Sequence, residues 1–69
     1  MKDRPIAIIC ESRREYDRYL SDIPRSEWHK YSMVLSKRNT RGLRFSSYRI
    51  LEGGKSKNSL RNEVLKRMF

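Results

Sequence analysis

Residues 5–10 read Pro-Ile-Ala-Ile-Ile-Cys, six positions without a polar side chain. So short a run, rich in isoleucine, suits a β-strand. Its unbroken apolarity, in place of alternation, suits a strand buried on both faces of a sheet covered by helices. Such a strand needs structure on either side, and a chain of 69 residues has few to spare. The expected unit is one small α/β domain over residues 1–69. Its core is small and its stability margin is on the order of a few kcal/mol.

The next residues supply a first cover. Ser12-Arg13-Arg14-Glu15 fits a capping box, in which the Ser12 hydroxyl accepts from the Glu15 N–H and the Glu15 carboxylate reaches back. Tyr16, Tyr19, Leu20 and Ile23 then fall on one helical stripe, with Arg13, Arg14, Asp17 and Arg18 turned outward. Pro24 stops that helix. Residues 25–30 form a connection in which Trp28 anchors the core, and Tyr31 to Ser36 read as a second strand. Lys37 to Arg44 is a basic loop with one helical turn before Gly42. Phe45 to Leu51 is a third strand, which Gly53-Gly54 breaks. Asn58 or Ser59 caps a last helix whose broad apolar face holds Leu60, Val64, Leu65, Met68 and Phe69.

The order β-α-β-loop-β-α predicts a compact three-stranded sheet with helices packed on it. Strand, helix and strand in succession favour a right-handed parallel crossover. Between the second and third strands only eight loop residues are expected, whereas a parallel return usually takes about a dozen or more. An antiparallel hairpin is therefore the alternative. A parallel sheet in the order 2-1-3 is preferred, because it makes the first strand central and explains its apolarity on both faces. The segment Cys-Glu-Ser-Arg-Arg-Glu-Tyr after that strand, with Arg41-Gly42-Leu43-Arg44-Phe45 leading into the third, resembles the small Rossmann-like proteins encoded in many bacteriophage genomes. The resemblance covers nearly the whole chain. It implies the compact α/β fold, but no defined activity and no functional residues.

Charge is the second strong feature. Residues 1–27 carry equal numbers of basic and acidic side chains, while residues 28–69 carry eleven basic ones against Glu52 and Glu63 alone. The whole formal charge of +9 thus belongs to the later part of the chain. So lopsided a field points to a polyanionic partner. Disorder fits poorly with Trp28, four tyrosines, two phenylalanines and clustered apolar residues. The single cysteine, Cys10, excludes an internal disulfide and favours a reducing, cytoplasmic setting. No apolar run approaches the length of a membrane span.

No catalytic signature emerges, and a non-enzymatic binding protein without a cofactor is the expectation. Gly54-Lys55-Ser56 matches the tail of a P-loop, but the first glycine of that motif would fall on Arg49, inside a strand. A phosphatase-like Cys-x5-Arg loop would need arginine at Tyr16. Cys10 reads as a buried structural residue, and His29, the sole histidine, as a surface residue beside Trp28 with no metal-ligand set.

Two binding sites are expected. One is an anion site at the carboxyl ends of the strands, where ligands of open α/β sheets gather. It would draw on Ser12, Arg13, Lys37, Arg38, Lys55 and Lys57. The other is a nucleic-acid surface. It is built on Lys37, Arg38, Arg41 and Arg44 with the lysines and arginines that follow, and it contacts DNA or RNA backbone non-specifically. Trp28, Tyr31, Phe45 and Tyr48 would stack on bases if exposed, although so small a core needs most of them. The alternative partner is an acidic surface of a host or phage enzyme. Met68-Phe69 at the end of the last helix would then offer a protein or homodimer contact, or else close the core.

Overall fold

Ile6–Ile9 forms the central strand, β1. A computed structural model describes residues 4–68. In chain order β1 is followed by helix α1 (Arg13–Leu20), a 3₁₀ segment (Arg25–Lys30), strand β2 (Tyr31–Val34) and a 3₁₀ turn (Lys37–Thr40). Strand β3 (Ser47–Ile50), a short 3₁₀ turn (Glu52–Gly54) and helix α2 (Asn58–Lys66) complete it. The sheet is wholly parallel with strand order β2-β1-β3. Ile6 stands opposite both Tyr31 and Ser47, and Ile9 opposite both Val34 and Ile50. The preferred topology is therefore the observed one, and the hairpin alternative is not.

Ala7, Ile8, Ile9 and Cys10 are fully buried, as the apolar run requires. Strand alternation sorts them. Ala7 and Ile9 face a core with Val34, Phe45, Leu60 and Val64, against which Tyr48, Ile50 and Met68 also pack. This is the α2 side. Ile8 and Cys10 face the opposite way, on the side of α1, where burial chiefly, and next the Cys10 thiol, push the Tyr16 phenol above its ordinary range. Leu20 is the buried residue of that helix.

The strands are shorter than the sequence suggests. β2 stops at Val34 and β3 begins at Ser47, so residues 35–46 are free to make the crossover. Phe45 is not a strand residue. Its ring is wholly buried on the α2 side and its N–H donates to the Arg67 carbonyl at 3.0 Å, while the Ser46 N–H donates to Pro5 at 3.0 Å. An aromatic next to a strand looks the same in sequence whether it pairs or plugs the core.

The helix ends also differ in detail. Ser12 caps α1 as expected, accepting from the Glu15 N–H at 3.3 Å. The helix ends at Leu20, before Pro24 is reached. The residue before α2 is Lys57, which provides no side-chain cap, and Asn58 is already helical. Trp28 is half-buried and holds its place by hydrogen bonds. Its indole N–H donates to the carbonyls of Leu20 at 3.1 Å and Ile23 at 2.8 Å, just past the end of α1, where the Leu20 carbonyl also accepts from the Ile23 N–H at 2.9 Å. Leu65 and Met68 are half-buried. Phe69 lies outside the described residues. Among those residues no helix is long and apolar enough to cross a membrane.

Candidate nucleic-acid interface

The carboxyl edge of the sheet is the expected anion site, and the chain's own charges already occupy much of it. The Glu15 carboxylate accepts from the Glu11 N–H at 2.7 Å and from the Gly53 N–H at 2.7 Å. The sequence suggests a carboxylate that reaches back only to its own helix cap. Instead it ties the first turn of α1 to the Gly53-Gly54 turn. Gly53 is required there, because a Cβ at that position would lie 2.6 Å from Glu11 Cβ. On the other side of β1 the Lys57 ammonium donates to the carbonyls of Cys10 at 2.9 Å and Leu35 at 3.1 Å. An ammonium has no acceptor and so cannot cap α2, and the Lys57 side chain turns back over the ends of β1 and β2.

The Glu15 bonds have a measurable consequence. The Glu11 N–H, and next the Gly53 N–H, hold the Glu15 carboxyl below the ordinary glutamate range. A group whose folded value lies below its unfolded one adds stability above the unfolded value, about 4.3 for glutamate. That stability disappears as the pH falls through the folded value. Glu15→Gln should cost about 1–2 kcal/mol at neutral pH, since an amide cannot accept both N–H groups equally. Thermal melts at neutral and acid pH should show the variant approaching the wild type as the solution is acidified. A constant gap across that range would exclude the assignment.

The predicted anion set is therefore divided. Ser12 belongs to a concavity on the α1 side with Glu11, Arg14, Glu15, Arg18 and Glu52. Arg13 is exposed on α1 beside Asp17, at 4.0 Å. Lys55 pairs with Glu52 at 3.1 Å. Lys55 thus reaches the Ser12 concavity only through Glu52, one of the three carboxylates that line it, and Arg13 does not line it. Lys37 and Lys57 do come together, along a groove shared with Leu35, Ser36, Ser56, Ser59 and Leu60.

The basic loop fares differently. Ser36 and Asn39 close a reciprocal cap around the Lys37–Thr40 turn, with Asn39 Oδ1 accepting from the Leu35 and Ser36 N–H groups at 2.9 and 3.1 Å. Thr40 is buried, and its hydroxyl donates to the Lys37 carbonyl at 2.7 Å. Gly42 takes φ +74°, the left-handed conformation that favours glycine. The loop is thus a defined scaffold, and it packs against α2. Lys37, Arg38, Arg41 and Arg44 are all exposed on it, as are Arg61 and Lys66 on α2. Among the described residues Lys37, Arg38, Arg41, Arg61 and Lys66 form no ion pair. Glu63 is the only acid on α2, and Arg67 pairs with it at 3.2 Å.

The fold converts an asymmetry along the chain into one across the sheet. The α1 side carries Arg13, Arg14 and Arg18 against Glu11, Glu15, Asp17 and Asp22. The other side carries the basic loop and α2, with a single, already paired carboxylate. This sorting was not predictable until the connection after β2 was known to cross on the α2 side. The aromatics contribute little to this surface. Phe45 is fully buried, and Trp28, Tyr31 and Tyr48 are half-buried, with Tyr31 edge-on to Tyr19 at 5.9 Å. His29 is exposed, and Cys10 is buried with its thiol pushed up chiefly by burial. Among the described residues no cluster of metal-ligating side chains forms.

Comparison with protein-family models, with curated proteins and with solved structures gives no match for this chain. The chemistry of the two faces therefore carries the functional reading.

Proposed function

We propose that this is a non-catalytic, cytoplasmic binding protein that engages the phosphate backbone of nucleic acid through the face formed by the basic loop and α2. The observation that carries the reading is the sorting of charge across the sheet: one layer is nearly neutral, the other displays exposed cations with almost no acid among them. Arginine dominates the loop, and its planar fork suits phosphate oxygens. Because the neighbouring aromatics are largely withdrawn into the core, binding is backbone-led and indifferent to sequence.

The test is the dependence of affinity for generic duplex DNA and single-stranded RNA on salt. Contact with about three to five phosphates gives a log–log slope of roughly −3 to −4.5 on duplex DNA, and a loss on the order of a hundredfold between about 50 and 200 mM salt. Absence of binding at the lowest salt overturns the reading. The rival partner is an acidic protein surface. It is favoured by Leu43, which stands 37% exposed between Arg41 and Arg44 and offers an apolar contact that phosphate would not use. One stoichiometric protein retained at physiological salt after nuclease treatment decides for that rival.

A further inference from the structure

The two crossovers of the chain part company at the carboxyl ends of β1 and β2. The connection after β1 leaves over the α1 side, and the one after β2 passes on the α2 side. Adjacent strands whose connections diverge leave a crevice between their ends, where open α/β sheets take their ligands. Here the crevice meets a groove of about 390 Å³, within the size range of small-ligand sites. Its polar lining is Ser36, Lys37, Ser56, Lys57 and Ser59, and no carboxylate contributes to it. The concavity on the α1 side, of about 500 Å³, is lined by three glutamates and two arginines. The two recesses therefore differ in sign.

Lys57 makes the groove more than a patch of surface lysines. Its ammonium is half-buried and held by two carbonyl oxygens, Cys10 at 2.9 Å and Leu35 at 3.1 Å. Both acceptors are neutral, and among the described residues Lys57 has no ion pair. The Glu15 carboxylate feels this charge, but the ammonium is in no ion pair and is hydrogen-bonded only to neutral groups, and a charge so placed and partly withdrawn from water favours an approaching anion. Two of the three ammonium donors are used, so one remains. Because the side chain is already immobilised, little further entropy is lost when that donor binds. Lys37 adds a second, exposed cation, and the serine hydroxyls add neutral donors that suit a tetrahedral oxyanion.

We infer that the groove between the ends of β1 and β2 binds a phosphate monoester, held between Lys57 and Lys37 with a hydroxyl contact from Ser56, while Ser59 stands at the groove wall. The same chemistry is offered by a phosphorylated small molecule and by the phosphorylated end of a nucleic-acid strand. The inference does not rest on backbone binding by the basic face, which uses internal phosphodiesters, although the two share Lys37.

The experiment is an amide chemical-shift titration of the full chain with inorganic phosphate at constant ionic strength, on the wild type, Ser59→Asp and Ser59→Asn. Ser59 is exposed in the first turn of α2, where an acidic side chain stabilises a helix, so Ser59→Asp should melt no lower than the wild type. Its carboxylate would stand in the groove. Phosphate should shift the amides of Ser36, Ser56, Lys57 and Ser59 in the wild type. Its affinity should fall by about tenfold or more in Ser59→Asp and little in Ser59→Asn. Unmoved amides, or equal affinity in Ser59→Asp and wild type, overturn the site. Short oligonucleotides with a 5′-phosphate or a 5′-hydroxyl separate the two sources. A preference for the phosphate that Ser59→Asp abolishes assigns the groove to strand ends. Equal binding of both oligonucleotides, alongside phosphate binding, assigns it to small phosphorylated molecules. Phosphate binding without any oligonucleotide binding overturns the nucleic-acid reading and leaves this site standing.

Discussion

Replacing Gly54 with alanine should destabilise the protein by about 3 kcal/mol and lower its melting temperature by roughly 10–25 °C. The added Cβ would lie 2.5 Å from the Ile9 carbonyl oxygen and 2.9 Å from its carbon. Neither atom can rotate away, because both belong to the backbone of the central strand. The same oxygen accepts from the Leu51 N–H at 2.9 Å, at the end of the β1–β3 ladder. Relief of the clash therefore breaks that bond or shifts the Lys57 turn, which is joined to Gly54 through the Lys57 N–H at 3.0 Å. Gly42→Ala is the matched control. At Gly42 nothing lies within 4 Å of the new atom, and only the cost of the left-handed conformation remains, about 1 kcal/mol. Thermal unfolding followed by circular dichroism should rank wild type, Gly42→Ala and Gly54→Ala in falling order. A Gly54→Ala protein that melts beside the wild type would show that the turn can move off Ile9.

Simultaneous reversal of Lys37, Arg38 and Arg41 to glutamate should reduce affinity for generic DNA by about a thousandfold at low salt, or to below detection. Each lost phosphate contact makes the salt slope shallower by about 0.9, so any residual binding should show a slope nearer to zero by roughly 3. All three side chains are exposed, and the turn that presents them is held by Ser36, Asn39 and Thr40, which the change leaves in place. The melting temperature should therefore stay close to that of the wild type. Unchanged affinity in a folded variant would move the contact surface off this loop, and a parallel reversal of Arg61 and Lys66 would then test α2.

Both predictions depend on features that differ in how openly the sequence displays them. The buried strand and the cap of α1 are local patterns. Six apolar residues in a row have one economical explanation in so short a chain, and Ser12 with Glu15 sits within a single turn. The basic loop is equally plain as composition. Its placement is not, because the side on which residues 35–46 cross depends on where β2 and β3 end. Phe45 hid that point by looking like part of a strand. The least legible residues are those that join distant segments. Glu15 finds its second partner at Gly53, and Lys57 its two acceptors at Cys10 and Leu35, none of them close in sequence. A lysine amid other lysines gives no sign that its ammonium will turn inward. In the same way Ser12 looks like part of an anion site until the fold adds Glu52 to the neighbouring Glu11 and Glu15.

The central position of β1 has a consequence for how the chain folds. The strand is made first but can be completed only last: its partners are Tyr31–Val34 and, farther along, Ser47–Ile50. For a domain of this size such parallel pairings are distant in sequence, and loops must close before any of them is rewarded. Folding should therefore be slower than that of a helical bundle of equal length, in spite of the short chain. Until then Ile6–Ile9 is a four-residue apolar segment with both hydrogen-bonding edges open, the kind that pairs with copies of itself. Arg4 stands just before it and Glu11, Arg13 and Arg14 just after, so its flanks carry the charges that hold such a segment apart from its like while it waits.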